Sequence, residues 1–568
     1  MKNKKFQKTD NRRFQKGKSN KKFHGDKNFN PRGSFNKPNF QSKPSFEKSF
    51  EPAREMQISE ITTELAKQTI DVKGVVERVV QTGGPTIFMV SDGTGTLGLK
   101  GFEGPGERAY PEIKEGDTIK SIIGVSEFRG ELEGEIKKIF KLTPQEHETY
   151  LKKILDTQKQ RAEIKPIPFL VESPILDKLR DKFVKAAKEI RLAIIQGRPI
   201  IVRHHNDTDG YSAGFALERA ILPLILKEQS SEKAGWEFFL RAPCAAPFYE
   251  IDDSIRDAAQ SLRNVAKFSN KMPLVIIADN GSSPEDLLGI QHGKVHGMEF
   301  IVVDHHYSDK DVITREVLTH INPFLVGEDG AKFSAGMLCT ELARLVNNVD
   351  NLEQIPAMAG LADRIDLMNP EIIEEYLKIA KKQGYSKELL KDISKVIDFV
   401  SAKVRFMEVR EYMEAVFGEP REKQRALVGL LAPHIKKLEQ KGLAISKANA
   451  TTEEIGKTTL QIIDIDKTFP GFGFYPKPGM AVGMTHDDLQ KTKKITNLIS
   501  IGLMATAITI RATDEANFSV HKLIEFLNSK LPNAFVEGGG HKNAGSINFI
   551  PSKKDEVLKL FKGFVKGR

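Results

Sequence analysis

Three short apolar segments of the chain end in acidic and histidine residues. Residues 199–203 are followed by HHNDTDG (204–210), residues 274–278 by DNG (279–281), and residues 300–303 by DHH (304–306). Between about 171 and 369, such segments alternate with longer helical patterns, which predicts parallel strands joined by crossover helices. Open parallel sheets bind ligands outside the carboxyl ends of their strands, so we expect the three clusters to share one crevice.

Each cluster alone has an ordinary explanation, as a helix cap, a turn or a solvated histidine pair. Together, at least three carboxylates and a histidine in one crevice would be strongly unfavourable without counter-charge, because like charges and burial both disfavour ionised carboxylates. Divalent cations resolve this conflict. Carboxylate oxygens with one or two imidazoles suit Mn²⁺ or Mg²⁺, and the imidazoles favour Mn²⁺.

A second cluster of chemical interest, EGGGHKNAGS, occupies residues 537–546. Successive glycines let backbone amides approach an anion closely, and a following histidine or lysine adds a charged donor. A glycine triplet alone is usually only a turn, so its meaning depends on the acidic clusters before it.

These motifs resemble the DHH phosphoesterase superfamily, whose first three motifs are similar to HNDTDG, ADNGSS and VDHH here, and whose fourth is similar to AGLAD at 359–363. The resemblance implies two metal ions held by Asp207, Asp209, Asp279, His305 and Asp363, with Asp279 as the bridge. It places His306 beside the reacting phosphate, and we group Asp304 with it as catalytic. His205 matches the histidine of the first motif, but its neighbour His204 leaves that assignment open. Asp366 is an alternative to Asp363.

Residues 538–541 resemble the GGGH motif of the DHH-associated C-terminal domain found in RecJ-like exonucleases and in phosphodiesterases of short oligoribonucleotides. By that resemblance Arg511 and His541, together with Gly538, Gly539 and Gly540, contact the substrate backbone across a cleft from the metals. The segment 333–337 also resembles a family segment near the site, but helix packing explains it equally well and we assign it no catalytic role.

Before these domains, residues 56–143 change to a period of two, with turns at GGP (83–85), DGTG (92–95) and EGD (115–117). This pattern resembles the OB fold, a five-stranded barrel that often binds oligonucleotides. A barrel used for protein docking is an equally good explanation of these residues alone.

The first 50 residues carry fifteen Lys and Arg against three Asp and Glu, a net charge of +12, whereas the whole chain carries +10. This segment has no Leu, Ile or Val, so we expect residues 1–55 to form a disordered tail. Eight phenylalanines are interleaved with its cations: Phe6, Phe14, Phe23, Phe29, Phe35, Phe40, Phe46 and Phe50. Cations and stacking rings suit single-stranded nucleic acid, although a solubilising tail would have a similar composition.

The predicted fold class is therefore α/β: a parallel-sheet DHH catalytic domain (171–370) and a smaller α/β C-terminal domain (443–568), preceded by the barrel and the tail. A helical linker (144–170) and a helical connector (371–442) complete the division. The chain has two cysteines 95 positions apart, which excludes a disulfide framework or zinc ribbon. No apolar run is long enough for a membrane span, and we expect a cytoplasmic protein.

The function predicted from these motifs is a Mn²⁺- or Mg²⁺-dependent, RecJ-like exonuclease that acts on single-stranded DNA or RNA, working with replication or repair proteins. One alternative is a phosphodiesterase of short oligonucleotides or cyclic dinucleotides. Another is a replication or repair scaffold with little catalysis, although a converging acidic cluster would be costly in a protein that binds no metal.

Overall fold

A computed structural model describes residues 53–128, 131–229, 233–244, 246–265, 271–308, 312–404, 410–469 and 475–567. The chain divides into two units, Met1–Pro52 and Ala53–Arg568. The predicted disordered tail lies outside the described residues, except for its last three. Of those three, Arg54 and Glu55 form a short strand that pairs in parallel with Ile70 and Asp71, so the ordered part begins slightly before the predicted boundary.

The first folded region is a small closed barrel with its own hydrophobic core, which contains Val72, Phe88, Leu99 and Ile123. Its strands are β1 (Arg54–Glu55), β2 (Thr69–Gln81), β3 (Thr86–Ser91), β4 (Thr96–Gly101), β5 (Thr118–Phe128) and β6 (Glu131–Lys141), with short 3-10 helices at Ile58–Glu60 and Thr63–Leu65. The sheet order is β1-β2-β3-β4-β6-β5, and β5 pairs back onto β2. Only β4 and β6 among the five long strands pair in parallel, which gives the strand arrangement of an OB barrel.

Helix α1 (Pro144–Ala162) connects the barrel to the central domain, and the next helix, α2 (Pro174–Ile195), packs into the core of that domain through Leu176 and Phe183. Thr143 and Glu146 form a reciprocal capping box at the start of α1, where Pro144 occupies the first turn, so residues close in sequence fix this helix start.

The central domain contains a five-stranded sheet in the order β11-β10-β9-β7-β8, with all neighbouring strands parallel. Its strands are β7 (Ile200–His204), β8 (Phe239–Pro243), β9 (Leu274–Ala278), β10 (Glu299–Val303) and β11 (Thr319–Ile321). Its helices are α3 (Thr208–Gln229), α4 (Ala234–Glu237), α5 (Ile251–Val265), α6 (Asp286–Val295), α7 (Ala335–Val346), α8 (Ile355–Ala362) and α9 (Ile365–Met368), with 3-10 turns at Pro323–Val326 and Gly330–Lys332. The three apolar segments form the adjacent strands β7, β9 and β10, whereas the sequence patterns do not reveal β8 and β11.

Four helices follow, α10 (Pro370–Lys382), α11 (Lys387–Val404), α12 (Arg410–Phe417) and α13 (Arg421–Asn449). Ile397 of α11 and Ile435 of α13 belong to the same hydrophobic core as Val202 of β7, so the connector packs as part of the central domain. The predicted boundary between connector and C-terminal domain, at residues 442 and 443, falls inside α13, which continues to Asn449.

The C-terminal domain has a mixed sheet in the order β12-β13-β14-β15-β17-β16 and a separate core that includes Ile501, Phe518 and Phe561. Its strands are β12 (Thr451–Ile455), β13 (Thr458–Asp464), β14 (Leu498–Leu503), β15 (Ala507–Ala512), β16 (Glu537–His541) and β17 (Ala544–Asn548). Its helices are α14 (Ile465–Thr468), α15 (Pro478–Lys493), α16 (Val520–Lys530) and α17 (Lys554–Lys566), with 3-10 turns at Asp514–Ala516, Pro532–Ala534 and Pro551–Lys553. Within the described ranges, the helices are all too short or too polar to cross a membrane.

Candidate metal centre

One group of ligand-type side chains surrounds the loop after β7. His205 Nδ1 lies 2.8 Å from Asp207 Oδ2 and 3.6 Å from Asp279 Oδ2. His204 turns away from this group, because its Nδ1 lies 2.7 Å from the carbonyl oxygen of His205 and its ring packs edge-on against Tyr211. Of the two adjacent histidines, it is therefore His205 that faces the carboxylates.

A second group surrounds His305, which follows β10 and is almost fully buried. Its Nε2 lies 3.3 Å from Asp279 Oδ1, 3.2 Å from Asp363 Oδ2 and 3.7 Å from Asp209 Oδ2. Its other ring nitrogen, Nδ1, lies 3.2 Å from the carbonyl oxygen of Gly330. A proton on Nδ1 would be held by that carbonyl, which leaves the Nε2 lone pair directed at the carboxylate group.

Asp279 lies between the two groups, with Oδ2 towards His205 and Oδ1 towards His305. Its backbone has a φ of 61°, in the left-handed region that non-glycine residues rarely adopt. Such conformations cost roughly 1–3 kcal/mol and cluster at functional sites. The sheet end and this turn together direct one carboxylate at two different sets of side chains.

The DHH triplet also fixes its second histidine. Asp304 Oδ1 accepts hydrogen bonds from the backbone amides of His305 and His306 at 2.8 and 3.2 Å, and it lies 2.8 Å from His306 Nδ1. The side-chain amide of Asn322 donates to the carbonyl oxygen of His306 at 2.9 Å. The His306 ring is therefore held from both its side chain and its backbone.

Asp209 is held by a contact that sequence reasoning missed. The backbone amides of Ala335 and Gly336, at the start of α7, donate to its Oδ2 and Oδ1 at 2.8 and 2.9 Å. These residues belong to the 333–337 segment, to which the sequence alone assigns no catalytic role. A small residue is needed here, since a Cβ on Gly336 would lie 2.6 Å from Ala359 Cβ and 2.9 Å from Asp209 Oδ1. The sequence signals for this contact were the small residues of the segment and its resemblance to a family segment near the site.

The electrostatics of the two groups show an excess of negative charge. Burial and the neighbouring carboxylates of Asp279 and Asp363 raise the pKa of Asp209 well above its ordinary value. Burial also raises the pKa of Asp363, to about 6, even though His305 lowers it. Burial alone would lower the pKa of His305, but the surrounding carboxylates outweigh burial and raise it.

Two buried atoms at the centre of this cluster, Asp279 Oδ2 and His305 Nε2, make no hydrogen bond with a described residue. Their neighbours lie at ion-pair distances but without hydrogen-bond geometry. Unsatisfied buried polar atoms are costly, and carboxylate and imidazole donors with spare lone pairs suit a divalent cation. These residues therefore fit the metal pair that their motifs imply.

Asp366, the alternative to Asp363, belongs to none of the described sets of ligand atoms that lie within 4.8 Å of one another, whereas Asp363 joins Asp209 and His305 in one. The difference arises because α8 ends at Ala362 and Arg364 takes a left-handed conformation, which leaves Asp363 at the end of α8 and puts Asp366 on α9.

The C-terminal domain covers the cluster through His541. Its ring stacks on that of His306, with centroids 4.9 Å apart, and lies 5.0 Å from that of His305. Burial and these two histidines lower the pKa of His541. The GGGH segment thus faces the DHH triplet across the domain boundary.

The three positions before His541 are occupied by glycine for different structural reasons. A Cβ on Gly538 would lie 2.2 Å from the carbonyl oxygen of Ser546, and one on Gly540, whose φ is +123°, would lie 2.5 Å from that of Ala544. These two glycines are therefore required by the pairing of β16 with β17. Gly539 has no described atom near its Cβ position, and it lies on β16, the edge strand. Alternate amides of an edge strand point away from its partner.

Arg511 lies on β15, paired with Ala544 of β17. It is half-buried, and burial and the nearby Arg364 lower its pKa, while Asp363 and Asp487 act in the opposite direction. Arg364 reaches Asp487 of α15 at 3.4 Å. Guanidinium groups from both domains thus lie beside Asp363.

Lys477 is a second residue that sequence reasoning missed. From the C-terminal domain, its Nζ donates to the carbonyl oxygen of Asn206 at 2.6 Å and lies 3.5 Å from Asp398 Oδ1. Asp398 Oδ1 also accepts from the backbone amide of Thr208 at 3.2 Å, which satisfies the start of α3. A single ion pair thus links the C-terminal domain, the connector and the first motif; no local motif marks it.

The barrel, the parallel sheet with its acidic edge and the facing GGGH strand define a DHH-type protein, as the sequence predicts. No model of a known protein family matches the chain. An uncharacterized protein of Methanocaldococcus jannaschii, MJ1198, is 36% identical over 554 residues, which is 92% of this chain and 72% of that protein. A solved structure described as the DHH domain of PF0399, a member of a family of ribosomal proteins, is 36% identical, with a TM-score of 0.69, and the match covers 74% of this chain and 99% of that one.

The chain belongs to the DHH-domain family with these two relatives. The structure of RecJ from Thermus thermophilus in complex with Mn²⁺ is also similar, at 17% identity and a TM-score of 0.48, over 72% of this chain and 57% of that one. A likeness this distant says nothing about activity.

Proposed function

We propose that the protein is a metal-dependent phosphodiesterase of the RecJ type, which removes nucleotides from single-stranded DNA or RNA. The observation that carries the proposal is Asp279, whose two oxygens face two separate groups of ligand-type side chains. A carboxylate shared between two donor sets is suited to hold a pair of neighbouring cations.

Six side chains would hold the two cations: Asp207, Asp209, Asp279, His305, Asp363 and His205. Mn²⁺ is the preferred cation and Mg²⁺ is the alternative. When bound, such ions lower the pKa of a shared water and stabilise the attacking and leaving oxygens of an in-line displacement at phosphorus. Asp279 is the proposed bridge, since each of its oxygens has its own histidine neighbour.

Asp304 and His306 are the proposed catalytic residues of the chain itself. Asp304 Oδ1 keeps a proton on His306 Nδ1 and thereby sets the ring orientation. His306 Nε2 is then the atom available to a phosphate oxygen or to the leaving oxygen. The Asn322 amide on the His306 carbonyl limits movement of the ring during the reaction.

Across the cleft, Arg511, His541 and the glycines are proposed to bind the substrate backbone. Arg511 supplies a planar charged donor suited to a phosphate, and His541 lies against both DHH histidines. Of the three glycines, Gly539 is the best placed for backbone contact, because Gly538 and Gly540 are already enclosed by β17.

The barrel is the proposed strand-holding module. Phe102, Phe128 and Phe140 are more than half exposed on it, and Lys100 Nζ lies 4.6 Å from the centre of the Phe128 ring. Exposed rings beside a cation are typical of single-strand binding surfaces.

The basic tail would extend this surface. Its removal (residues 1–52) should reduce the salt dependence of binding by about 0.7 in log–log slope for every phosphate that the tail neutralises. An unchanged slope would mean that the tail does not touch phosphates.

The decisive experiment compares wild type, Asp279→Asn and Asp366→Asn with Mn²⁺ on labelled DNA and RNA strands, both long and dinucleotide. We expect stepwise shortening of long strands by wild type and Asp366→Asn, and none by Asp279→Asn. Asp366 is the matched control, because it is a nearby carboxylate outside the ligand groups. Cleavage of dinucleotides alone would favour an enzyme of short oligonucleotides, and equal inertness of wild type and Asp279→Asn would refute the enzymatic function.

A further inference from the structure

The residue after the DHH triplet, Tyr307, differs from its neighbours in exposure. Its side chain is 50% exposed, whereas His305 and Ser308 are buried. A large ring half open to solvent beside a buried polar cluster gains little from folding. Its position at the mouth of the site therefore calls for another explanation.

Two aromatic contacts hold this ring in place. Phe324 meets Tyr307 edge to face with ring centroids 5.6 Å apart, and His521 lies against it with centroids 4.8 Å apart and planes tilted by 39°. Asn322 connects the same elements, since its amide donates to the His306 carbonyl and its Oδ1 accepts from the Phe324 amide at 3.0 Å. The Tyr307 ring is thus positioned relative to His306 by the hydrogen bonds of Asn322 and by the rings of Phe324 and His521.

His521 comes from the other side of the cleft, in the first turn of α16. Its Nε2 is buried without a described hydrogen-bond partner. The adjacent Lys522 is exposed, as is Lys542, whose carbonyl oxygen accepts from the Val520 amide at 3.0 Å. Aromatic faces and cations therefore meet beside the proposed phosphate-binding strand.

We propose that Tyr307 and His521 form the binding site for a nucleobase, that of the terminal nucleotide whose phosphodiester bond is cleaved. This inference rests on the proposed function. Stacking on an aromatic face is open to every base but only when that base is unpaired, so the pair makes the enzyme tolerant of sequence and selective for single strands.

The test is a cycle of two changes, one in the protein and one in the substrate. Wild type and Tyr307→Ala are assayed on a strand with an intact terminal nucleotide and on the same strand with an abasic terminal nucleotide, placed at the 5′ end in one set and at the 3′ end in another. From the usual contribution of base stacking, we expect each change alone to lower kcat/KM about tenfold. Together they should cause little further loss, because both remove the same stacking interaction.

Two protein controls separate stacking from folding. Tyr307→Phe keeps the ring and should retain activity. Tyr412→Ala removes another exposed tyrosine, on α12, and should leave kcat/KM for both substrates unchanged. An equal loss on intact and abasic strands with Tyr307→Ala would overturn the proposal, because the residue would then act only on the architecture of the site. No loss on either strand would also overturn it.

Failure of the underlying function can be recognised separately. If wild type cleaves neither strand, the proposed activity fails, and the stacking site is judged by binding. The fluorescence of a terminal 2-aminopurine should be quenched when the strand binds wild type or Tyr307→Phe but not when it binds Tyr307→Ala, since quenching requires contact with the ring. Equal quenching by all three proteins would reject the site.

Discussion

Replacing Gly336 by alanine should disturb the candidate centre through a single methyl group. This glycine donates its amide to Asp209 Oδ1 at 2.9 Å. An added Cβ would lie 2.6 Å from Ala359 Cβ, 2.9 Å from Asp209 Oδ1 and 3.0 Å from Ser212 Cβ. Non-bonded carbon atoms prefer about 3.5–4.0 Å, and two of the three neighbours are packed Cβ atoms that cannot rotate away.

The magnitude follows from two opposing effects. Forcing a methyl group into a packed interior costs typically about 1–3 kcal/mol, while alanine is favoured over glycine in a helix by up to about 1 kcal/mol. We therefore expect a net loss of unfolding free energy of about 0–2 kcal/mol. The larger effect is on function, because loss of a group that orients a ligand typically lowers metal affinity or activity about 10- to 100-fold.

Gly429→Ala is the matched control, since this glycine lies exposed in α13 and no described atom lies within 4 Å of its Cβ position. It should be neutral or slightly stabilising. Calorimetric titration with Mn²⁺, chemical denaturation and strand cleavage measure the three quantities. If Gly336→Ala binds Mn²⁺, unfolds and cleaves like Gly429→Ala, then α7 does not position Asp209 and this explanation of the site is refuted.

Two other perturbations address the surroundings of the site. Lys477→Met removes a charged hydrogen-bond donor and should lower the unfolding free energy by about 1.5–3 kcal/mol. A Lys477→Met/Asp398→Asn double variant should recover part of this loss. Additive losses in denaturation experiments would show that the two side chains are not coupled. His320 is buried between Ser282 and Thr314, and burial lowers its pKa to about 4 from 6.5. Its contribution to stability is therefore complete above pH 6.5 and falls as the pH drops from 6.5 to 4, by at most about 3 kcal/mol. His320→Gln should show a shallower loss of stability over that range in urea unfolding, and an identical slope would contradict the assignment.

Local chemistry made much of the fold predictable. The Thr143–Glu146 capping box and the buried strands ahead of the acidic clusters depend on residues close in sequence. The predicted fold class is confirmed, with the OB-like barrel, the parallel sheet and the second α/β region in the expected order. By contrast, β8 (FLRAP) is interrupted by an arginine and ends in proline, and β11 (THI) has only three residues, so neither forms a continuous apolar run and their pairing depends on neighbouring strands. The boundary predicted at residue 443 falls inside α13, because the last turns of this helix carry no local signal that the helix continues.

The sequence by itself determined which residue types could form a metal centre, and in which order they follow the strands. Only the tertiary structure decided that His205 rather than His204 faces the carboxylates, that Asp363 and Asp366 separate, and that Asp279 directs its two oxygens at different groups. The contacts of Asp209 with α7 and of Lys477 with the first motif also appear only there. Motifs record the identity of neighbours along the chain, whereas the contacts of Asp209 and Lys477 join residues more than a hundred positions apart, and packing alone sets their distances.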